Sequence, residues 1–433
     1  MSDGGALCRA ALLGAYLTVA LARAADAGSL QERIRAADAG ATLRVPAGVH
    51  AGPLVIDRSL RLLGEGGAVI EGDGRGHVIA ITAPDVEVAG LQIRRSGSDL
   101  SGDDAGIHVS APRAYLHHNT IADTLHGIYL HQASGCRIVG NIVRGRAAAA
   151  AIDDPLTRGL NLRSAELCSV ELAQDRRGNG IHIWNCGDHT IDDNDIRGTR
   201  DGIYFSFCDH TTVRHNTIRE VRYGLHYMYS DGNRFEENLF AENAAGAALM
   251  YSRDIVLRRN RFLANRSHRA YGLLLHTVEA TTIAENTIEG NTIGIFLESG
   301  VGNTFAANTI AANYIGVRLS GSSDGNRFAD NRFLRNVHSV ETNGAADANT
   351  WSVAGRGNFW EGALALDLDD NGIADVPHRE ADLFGGWRRA FPEIGLLSGS
   401  PGARAVRFVH ARIGVPGLDG VRDPEPLVRT ESP

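Results

Sequence analysis

The chain has 433 residues, 51 glycines and a formal net charge of −8, and all of its 43 basic residues are arginines. The negative balance argues against a groove for nucleic acid, so no nucleic-acid partner is expected. Because the sequence contains no lysine, Schiff-base chemistry and a lysine general base are excluded.

Residues 1–24 have the pattern of a secretory signal. Arg9 begins a short basic region, and residues 10–22 are apolar but too few to cross a bilayer. Ala22, Arg23 and Ala24 match an A-x-A cleavage site. The alternative is a buried first strand. The pattern predicts export.

Residues 29–38, SLQERIRAAD, have apolar side chains at helical spacing after a serine. This segment predicts a short helix that covers the open end of a stack of strands. Short apolar strands are expected to follow at Leu43–Val45, Leu54–Ile56, Leu60–Leu63 and Val78–Ile81.

A unit of about 22 residues then repeats, with the form N-x-[I/F/V], eight residues, and G-ϕ-x-ϕ, where ϕ is apolar. The asparagines are Asn119, Asn141, Asn194, Asn216, Asn238, Asn260, Asn286, Asn308 and Asn331. The glycines are Gly106, Gly127, Gly180, Gly202, Gly224, Gly246, Gly272, Gly294 and Gly316. Such a period indicates a solenoid. Helical repeats are disfavoured because no long segment has apolar residues at i, i+3, i+4 and i+7. The sequence predicts an all-β fold, a right-handed parallel β-helix, over residues 25–350.

Alternation after each glycine assigns the side chains to two faces. The first and third residues after the glycine are expected to point inward, and the second and fourth outward. The fourth positions, here called the Gly+4 line, are His131, Trp184, Ser206, Met228, Met250, His276 and Glu298. The second positions, the Gly+2 line, include His108, Tyr129, His182, Tyr204 and His226. Equivalent positions of neighbouring coils should stack about 4.8 Å apart.

The Gly+4 line contains a candidate metal site. Apart from the initiator, the only methionines are Met228 and Met250, on successive coils. His276 follows on the next coil, and His226 lies two residues before Met228. Thioether and imidazole ligands suit Cu(I), so these four residues form a candidate site for transient copper. The alternatives are ordinary packing of methionine and a docking surface without metal.

The spacing of 53 between Asn141 and Asn194 equals one coil plus an insert, placed at about 144–178. After cleavage of the signal, Cys136, Cys168, Cys186 and Cys208 remain. The last two lie 22 residues apart at equivalent positions of adjacent coils. A disulfide between them, two unbridged thiols and a metal site all remain open.

From Trp351 the repeat is lost, and residues 351–433 are predicted to form a C-terminal cap and an extended, irregular arm that docks on a partner. Within this region, residues 367–375 match the first positions of a calcium loop. The oxygen donors would be Asp367, Asp369, Asn371 and Asp375, with Gly372 at the turn. Position twelve is His378 rather than glutamate, so a plain acidic turn is the alternative to a calcium site.

Several runs resemble the NosD family. They are RDGIYFSFCDHTTVRHN (200–216), RYGLHYMYSDGNRFEEN (222–238), GAALMYSRDIVLRRN (246–260), GNFW (357–360), LDLDDNGIADVP (366–377) and GVRDPEPL (420–427). The most specific feature is GLHYMYS followed 22 residues later by GAALMYS. The family motif corresponds here to Gly224, His226, Tyr227, Met228, Tyr229, Ser230, Met250, Tyr251 and Ser252.

The resemblance implies a periplasmic, non-enzymatic accessory protein for maturation of the copper-sulfide centre of nitrous oxide reductase. It also implies four partners: the permease and the ATPase of an ABC transporter, a copper-carrying lipoprotein and the apo-reductase. Membrane association would then come through these partners. The family has no firmly assigned catalytic residues to transfer to this chain.

The alternatives are a polysaccharide lyase, hydrolase or epimerase, and a purely structural adhesin. An enzyme of this kind needs clustered carboxylates on one face. The outward lines offer Glu298 and Arg318 but no acidic pair on neighbouring coils. Asp153 and Asp154 lie in the insert, where a loop-built site is conceivable.

Overall fold

The computed structural model describes residues 29–146, 177–267, 270–343, 348–381, 400–413 and 420–429. The predicted signal at 1–24 and most of the predicted insert, including Cys168, lie outside these ranges. The four early strands are confirmed, the last of them as Ile79–Ile81.

The described chain forms a parallel β-helix of three long sheets with 12, 13 and 12 strands. Each coil contributes one strand to each sheet, and each strand pairs in parallel with its equivalents one coil earlier and later. The predicted fold class is therefore confirmed. Its coil spacing is visible in the register, which aligns Met228 with Met250, 22 residues later.

The strands of the three sheets, in order along the stack, have the following bounds. Sheet 1 contains Ala41–Val45, Leu60–Gly64, Glu87–Ala89, Tyr115–His117, Arg137–Val139, Thr190–Asp192, Thr212–Arg214, Arg234–Glu236, Val256–Arg258, Thr282–Ala284, Thr304–Ala306 and Arg327–Ala329. Sheet 2 contains Gly48–Ala51, Ala68–Glu71, Gln92–Arg94, Thr120–Ala122, Ile142–Arg144, Asp195–Arg197, Thr217–Arg219, Leu239–Ala241, Arg261–Leu263, Thr287–Glu289, Thr309–Ala311, Arg332–Leu334 and Phe359–Trp360. Sheet 3 contains Leu54–Ile56, Ile79–Ile81, Ala105–Val109, His126–His131, Ile181–Gly187, Asp201–Asp209, Tyr223–Met228, Ala245–Arg253, Tyr271–Glu279, Ile293–Glu298, Ile315–Ser320 and His338–Asn343.

A single apolar core fills the interior of the stack. Inward positions are fully buried on every coil, as at Leu225 and Tyr227 after Gly224. Equivalent rings stack along the axis, for example Phe305 on Phe328 with centroids 4.4 Å apart. Because coils repeat at nearly the strand spacing, like side chains meet like side chains, and the sheet 3 face is held in strict register.

The repeated asparagines form a buried ladder at the turn between sheets 1 and 2. The backbone N–H of Asn238 donates to Oδ1 of Asn260 at 3.0 Å, and its side-chain amide donates to the carbonyl of Val213 at 2.9 Å. The residue before each asparagine has a positive φ, for example 57° at Glu237. The ladder therefore satisfies the polar groups of a tight turn that the core would otherwise leave unpaired.

The N-terminal end is capped as predicted. A helix spans Leu30–Ala36, and Ser29 and Glu32 form a reciprocal capping box at its start. Leu30 and Ile34 are buried in the core. The helix thus covers the apolar end of the first coil.

The stack continues past the predicted boundary at residue 350. Phe359–Trp360 pairs in parallel with Arg332–Leu334 of sheet 2, and the Trp360 ring stacks on Phe333 with centroids 4.2 Å apart. The buried carboxylate of Asp423 accepts hydrogen bonds from the backbone N–H of Asn358 at 2.7 Å and from Nε1 of Trp360 at 2.8 Å. The regular spacing of about 22 residues therefore ends before the β-helix does. The buried side chains of Trp351 and Trp360 fill its final core layers.

The C-terminal region is more ordered than the extended arm expected from its composition. Pro401–Ile413 is an α-helix, and Gly420–Asp423 pairs antiparallel with His378–Ala381. Residues 420–429 lie on the chain's own last coil, where the N–H of Leu427 donates to the carbonyl of Asn358 at 3.0 Å. Within the described ranges, no helix has the length and apolar character needed to cross a membrane.

Candidate functional site

The outward face of sheet 3 brings together the four residues predicted to bind copper. Met228 aligns with Met250, and Met250 aligns with His276 on the following coil. His226 lies on the same strand as Met228, two residues earlier and on the same face. All four side chains are half-buried rather than open to solvent. The predicted juxtaposition is present, although the ligand role itself stays a prediction.

A buried ion pair orients His226. Asp201 is 1% exposed and lies one coil earlier, directly before Gly202. Its carboxylate accepts hydrogen bonds from Nε and Nη2 of Arg222, at 2.8 and 2.6 Å, and from Nδ1 of His226 at 3.0 Å. Burial opposes ionisation, but these hydrogen bonds and the positive charge of Arg222 outweigh it and lower the pKa of Asp201 to about 2.

His276 is held in a matching way. Its Nδ1 lies 2.8 Å from Oε2 of Glu298 on the next coil, and its Nε2 lies 3.2 Å from the hydroxyl of Tyr251. The carboxylate can only accept, so Nδ1 carries the proton and Nε2 presents a lone pair to the tyrosine hydroxyl.

Both histidines therefore share the arrangement typical of metal-binding imidazoles. A carboxylate takes the Nδ1 proton, which directs the basic Nε2 atom away from the backbone and raises its basicity. Within the described ranges, His, Cys, Asp and Glu side chains form no group of three that could hold a metal ion. A copper site on this face thus depends on the thioethers of Met228 and Met250, which select a soft ion such as Cu(I).

An aromatic ladder borders this cluster and was not predicted from the sequence. Phe207, Tyr229 and Tyr251 follow the Gly+4 line by one residue, and their rings stack with centroids 5.2 and 5.1 Å apart. They are 54%, 47% and 44% exposed. Their positive φ values, 56°, 49° and 53°, interrupt the regular alternation of the backbone and turn these side chains outward. In the sequence, the tyrosine that follows each methionine in YMYS and LMYS is the feature that could have predicted this aromatic ladder.

The Gly+2 line continues the face toward the N-terminus as a series of imidazoles and phenols that are half-buried, except for the buried Tyr129. His108 stacks on Tyr129 at 5.6 Å, and the buried His126, which directly precedes Gly127, meets His182 edge-on at 5.2 Å. Burial lowers the pKa of His108 and His126 to about 4 and that of His182 to about 3. These histidines are neutral at physiological pH.

The two equivalent cysteines are aligned as predicted. Cys186 pairs in register with Cys208, and their Sγ atoms lie 3.8 Å apart as free thiols. Cys186 is half-buried, whereas Cys208 is fully buried. Nε2 of His189 lies 3.2 Å from Sγ of Cys186.

In the acidic loop at 367–375, carboxylate oxygens accept hydrogen bonds from the loop's own backbone. Asp367 accepts from the N–H groups of Asn371 and Gly372 at 3.1 and 2.9 Å. Oδ2 of Asp375 accepts from the N–H of Leu368 at 2.7 Å, and Asp369 accepts from the Asn371 side chain at 2.9 Å. Calcium binding here stays a prediction, which calorimetry with Ca²⁺ and a melting-temperature shift would test.

Three carboxylates on the outward face of sheet 3 are paired with basic side chains. Glu298 pairs with His276, and Glu341 accepts from Nη2 of Arg318 at 3.0 Å. Asp201 pairs with Arg222. Each of these three has a basic partner, whereas a glycoside hydrolase uses a pair of carboxylates. Asp153 and Asp154 lie outside the described residues.

Solved structures confirm the fold class. A family 28 exopolygalacturonase of Yersinia enterocolitica superposes with a TM-score of 0.56 at 11% identity, covering 76% of each chain. A PL6 alginate lyase bound to a trisaccharide superposes with a TM-score of 0.51 at 13% identity, covering 75% of this chain and 84% of the lyase. At such low identity these likenesses concern the fold alone.

Relatives with known names are more similar. Residues 160–364 match the family model described as "Periplasmic copper-binding protein (NosD)". A Pseudomonas aeruginosa protein named "Probable ABC transporter binding protein NosD" is 34% identical over 99% of this chain and 96% of its own length. The chain belongs to the NosD family. A Stutzerimonas stutzeri protein with the same name is 32% identical over 89% of this chain and 86% of its own.

Membership confirms the family predicted from the GLHYMYS and GAALMYS runs, both of which lie inside the matched segment. The description of the NosD family as periplasmic and copper-binding agrees with the predicted export and with a copper ligand set. The names of its relatives associate NosD proteins with an ABC transporter.

Proposed function

We propose that this protein is an exported, non-enzymatic accessory factor that receives Cu(I) on the sheet 3 face. From there the ion would be passed on for assembly of the copper-sulfide centre of nitrous oxide reductase. Copper is cargo in this proposal, held transiently rather than kept as a resident cofactor. The predicted signal at 1–24 would direct the chain to the periplasm.

One observation carries the proposal. Met228 and Met250 are aligned on adjacent coils, with His276 aligned on the next, and both flanking histidines have Nδ1 bound to a carboxylate. Ordinary packing would explain two methionines. It does not explain two imidazoles whose Nε2 atoms are both prepared to act as ligands beside them.

The surroundings of the cluster suit transfer between proteins. The half-buried position keeps the site accessible to an incoming donor, and the exposed rings of Phe207, Tyr229 and Tyr251 border it. We place the copper-carrying lipoprotein and the apo-reductase on this face, in turn. Exchange of ligands between two soft sites then moves the ion without releasing it to water.

The C-terminal region is the proposed contact with the transporter permease and its ATPase partner. The helix Pro401–Ile413 contains three arginines and no acidic residue, and Val406 and Val409 are 51% and 48% exposed. This helix and the copper cluster share no residue, so each can be mutated on its own. Membrane association would follow from this contact.

The test is made on the reductase. The gene for this chain is deleted, nitrous oxide reductase is purified, and its copper content and visible spectrum are recorded. We expect an enzyme that lacks the catalytic copper-sulfide centre, restored by the wild-type gene but not by a Met228→Leu/Met250→Leu gene. A fully loaded, active reductase from the deletion strain would refute the maturation role and direct attention to glycan substrates.

A further inference from the structure

The cysteine pair lies on sheet 3, as the copper cluster does, but is not part of that cluster. Cys186 and Cys208 occupy equivalent positions of adjacent coils, where Cα atoms are about 4.8 Å apart. This separation lies within the range that a disulfide spans. The Sγ atoms, 3.8 Å apart as thiols, need only a modest side-chain rotation to bond.

A directional chain of hydrogen bonds passes through this pair. The backbone N–H of Cys136 donates to Nδ1 of His189 at 3.1 Å, so the neutral imidazole carries its proton on Nε2. Burial lowers the pKa of His189 to about 4, which keeps it neutral. Nε2 then donates to Sγ of Cys186 at 3.2 Å.

The series of hydrogen bonds continues from Cys186 into the core. Its thiol donates to Sγ of Cys208, whose own thiol lies 3.2 Å from the carbonyl of Ser206. The hydrogen bond between the thiols, together with burial, raises the pKa of Cys186. The same hydrogen bond lowers the pKa of Cys208, against the opposing effect of burial. The half-buried Cys186 is the member that an external reactant can reach.

We propose that Cys186 and Cys208 form a redox-active dithiol that reduces cupric ion to Cu(I). Each of two Cu(II) ions accepts one electron. The two thiol protons leave to solvent, and one S–S bond forms between Cys186 and Cys208. His189 is a positioning residue that donates to the Cys186 sulfur. The proposal rests on the copper-handling function above, because the Met/His cluster selects the reduced ion.

The placement of the pair supports this coupling. Cys208 lies two residues after Ser206, and Ser206 is aligned with Met228 on the next coil. Strand spacing places the Cα atoms of Cys208 and Met228 roughly 8 Å apart. An ion reduced at the half-buried Cys186 would therefore be formed two coils from the nearer of the thioethers that stabilise it.

The experiment uses the full mature chain with Cys136→Ser and Cys168→Ser, which leaves one thiol pair. The reduced protein is mixed anaerobically with copper sulfate, and Cu(I) is measured with a chromophoric Cu(I) chelator. We expect two Cu(I) per chain, as a two-electron couple requires, and a Cys186–Cys208 disulfide in mass spectra after alkylation. Cys186→Ser and Cys208→Ala should each lower the rate of reduction at least tenfold.

Two further variants separate this activity from copper binding. Met228→Leu/Met250→Leu should still form Cu(I) at the wild-type stoichiometry but retain it less tightly. The Cys186→Ser chain should bind Cu(I) normally when the ion is supplied already reduced. His189→Ala should slow reduction and change its pH profile. Wild-type protein that keeps both thiols after cupric treatment, or a Cys186→Ser chain that reduces copper at the wild-type rate, would overturn the proposal.

Discussion

Nδ1 of His226 donates to Oδ2 of Asp201, a carboxylate on the preceding coil that is 1% exposed. Such an acceptor fixes both the tautomer and the orientation of the imidazole. Arg222 neutralises the same carboxylate, which allows it to remain ionised inside the fold. The copper-binding proposal depends on this contact because it leaves Nε2 of His226 as the atom available to a metal.

Asp201→Asn should weaken Cu(I) binding by about 10- to 100-fold, the usual effect of losing a carboxylate behind a metal-binding histidine. It should also lower the free energy of unfolding by about 3–5 kcal/mol, because the half-buried Arg222 loses its counter-charge. A Cu(I) competition titration and denaturant unfolding measure the two effects. The matched control is Asp192→Asn: Asp192 also pairs with an arginine and a histidine, but on sheet 1. Equal loss of affinity in both variants would contradict the assignment.

Met228→Leu and Met250→Leu should each lower the affinity for Cu(I) at least tenfold, and the double variant should lower it further. Leucine keeps the volume of methionine and costs less than about 1.5 kcal/mol of stability, so the change isolates the thioether. Titration against a Cu(I) chelator of known affinity is the measurement. Ser206→Ala, one coil earlier on the same line, serves as the control. Unchanged affinity in the double variant would leave the surface as a docking face without metal.

Acidification should destabilise the protein between about pH 6.5 and pH 4. Burial lowers the pKa of His108 and His126 to about 4 and that of His182 to about 3, below the ordinary value of 6.5. The unfolded chain therefore binds more protons, and the stability present above pH 6.5 is lost as pH falls. Each histidine contributes a slope of up to about 1.4 kcal/mol per pH unit. Urea unfolding at several pH values tests this, and His108→Gln should flatten the curve.

Asn238→Leu should destabilise the β-helix by about 2–5 kcal/mol. The side chain is fully buried, accepts from the N–H and side-chain amide of Asn216, and donates to Asn260 and Val213. Leucine removes these bonds and leaves backbone groups of the turn unpaired, each at about 1–3 kcal/mol. Thermal unfolding is the measurement. Glu237→Gln, at the exposed residue directly before Asn238, is the control. It should change the melting temperature little, because the ion pairs of Glu237 are at the surface.

The 22-residue period was sufficient to predict the β-helix, the faces of its strands and the alignment of Met228, Met250 and His276. In a parallel stack, equal spacing in sequence becomes adjacency in space, so the repeat itself contains this information. The same reasoning aligned Cys186 with Cys208. It did not extend to the end of the stack at Trp360, where Asn358 continues the asparagine ladder at a longer spacing and tryptophans fill the core.

The contacts that prepare the site were decided only by the tertiary structure. Asp201 directly precedes Gly202, and Arg222 lies two residues before Gly224. No pattern in the sequence predicts that Asp201 accepts hydrogen bonds from both Arg222 and His226. Likewise, the fold of the C-terminal segment around Asp423 depends on a carboxylate 65 residues from its partner Asn358. A repeat determines its own periodic contacts, whereas contacts between non-equivalent positions depend on side-chain rotamers and burial, which emerge only once the coils are stacked.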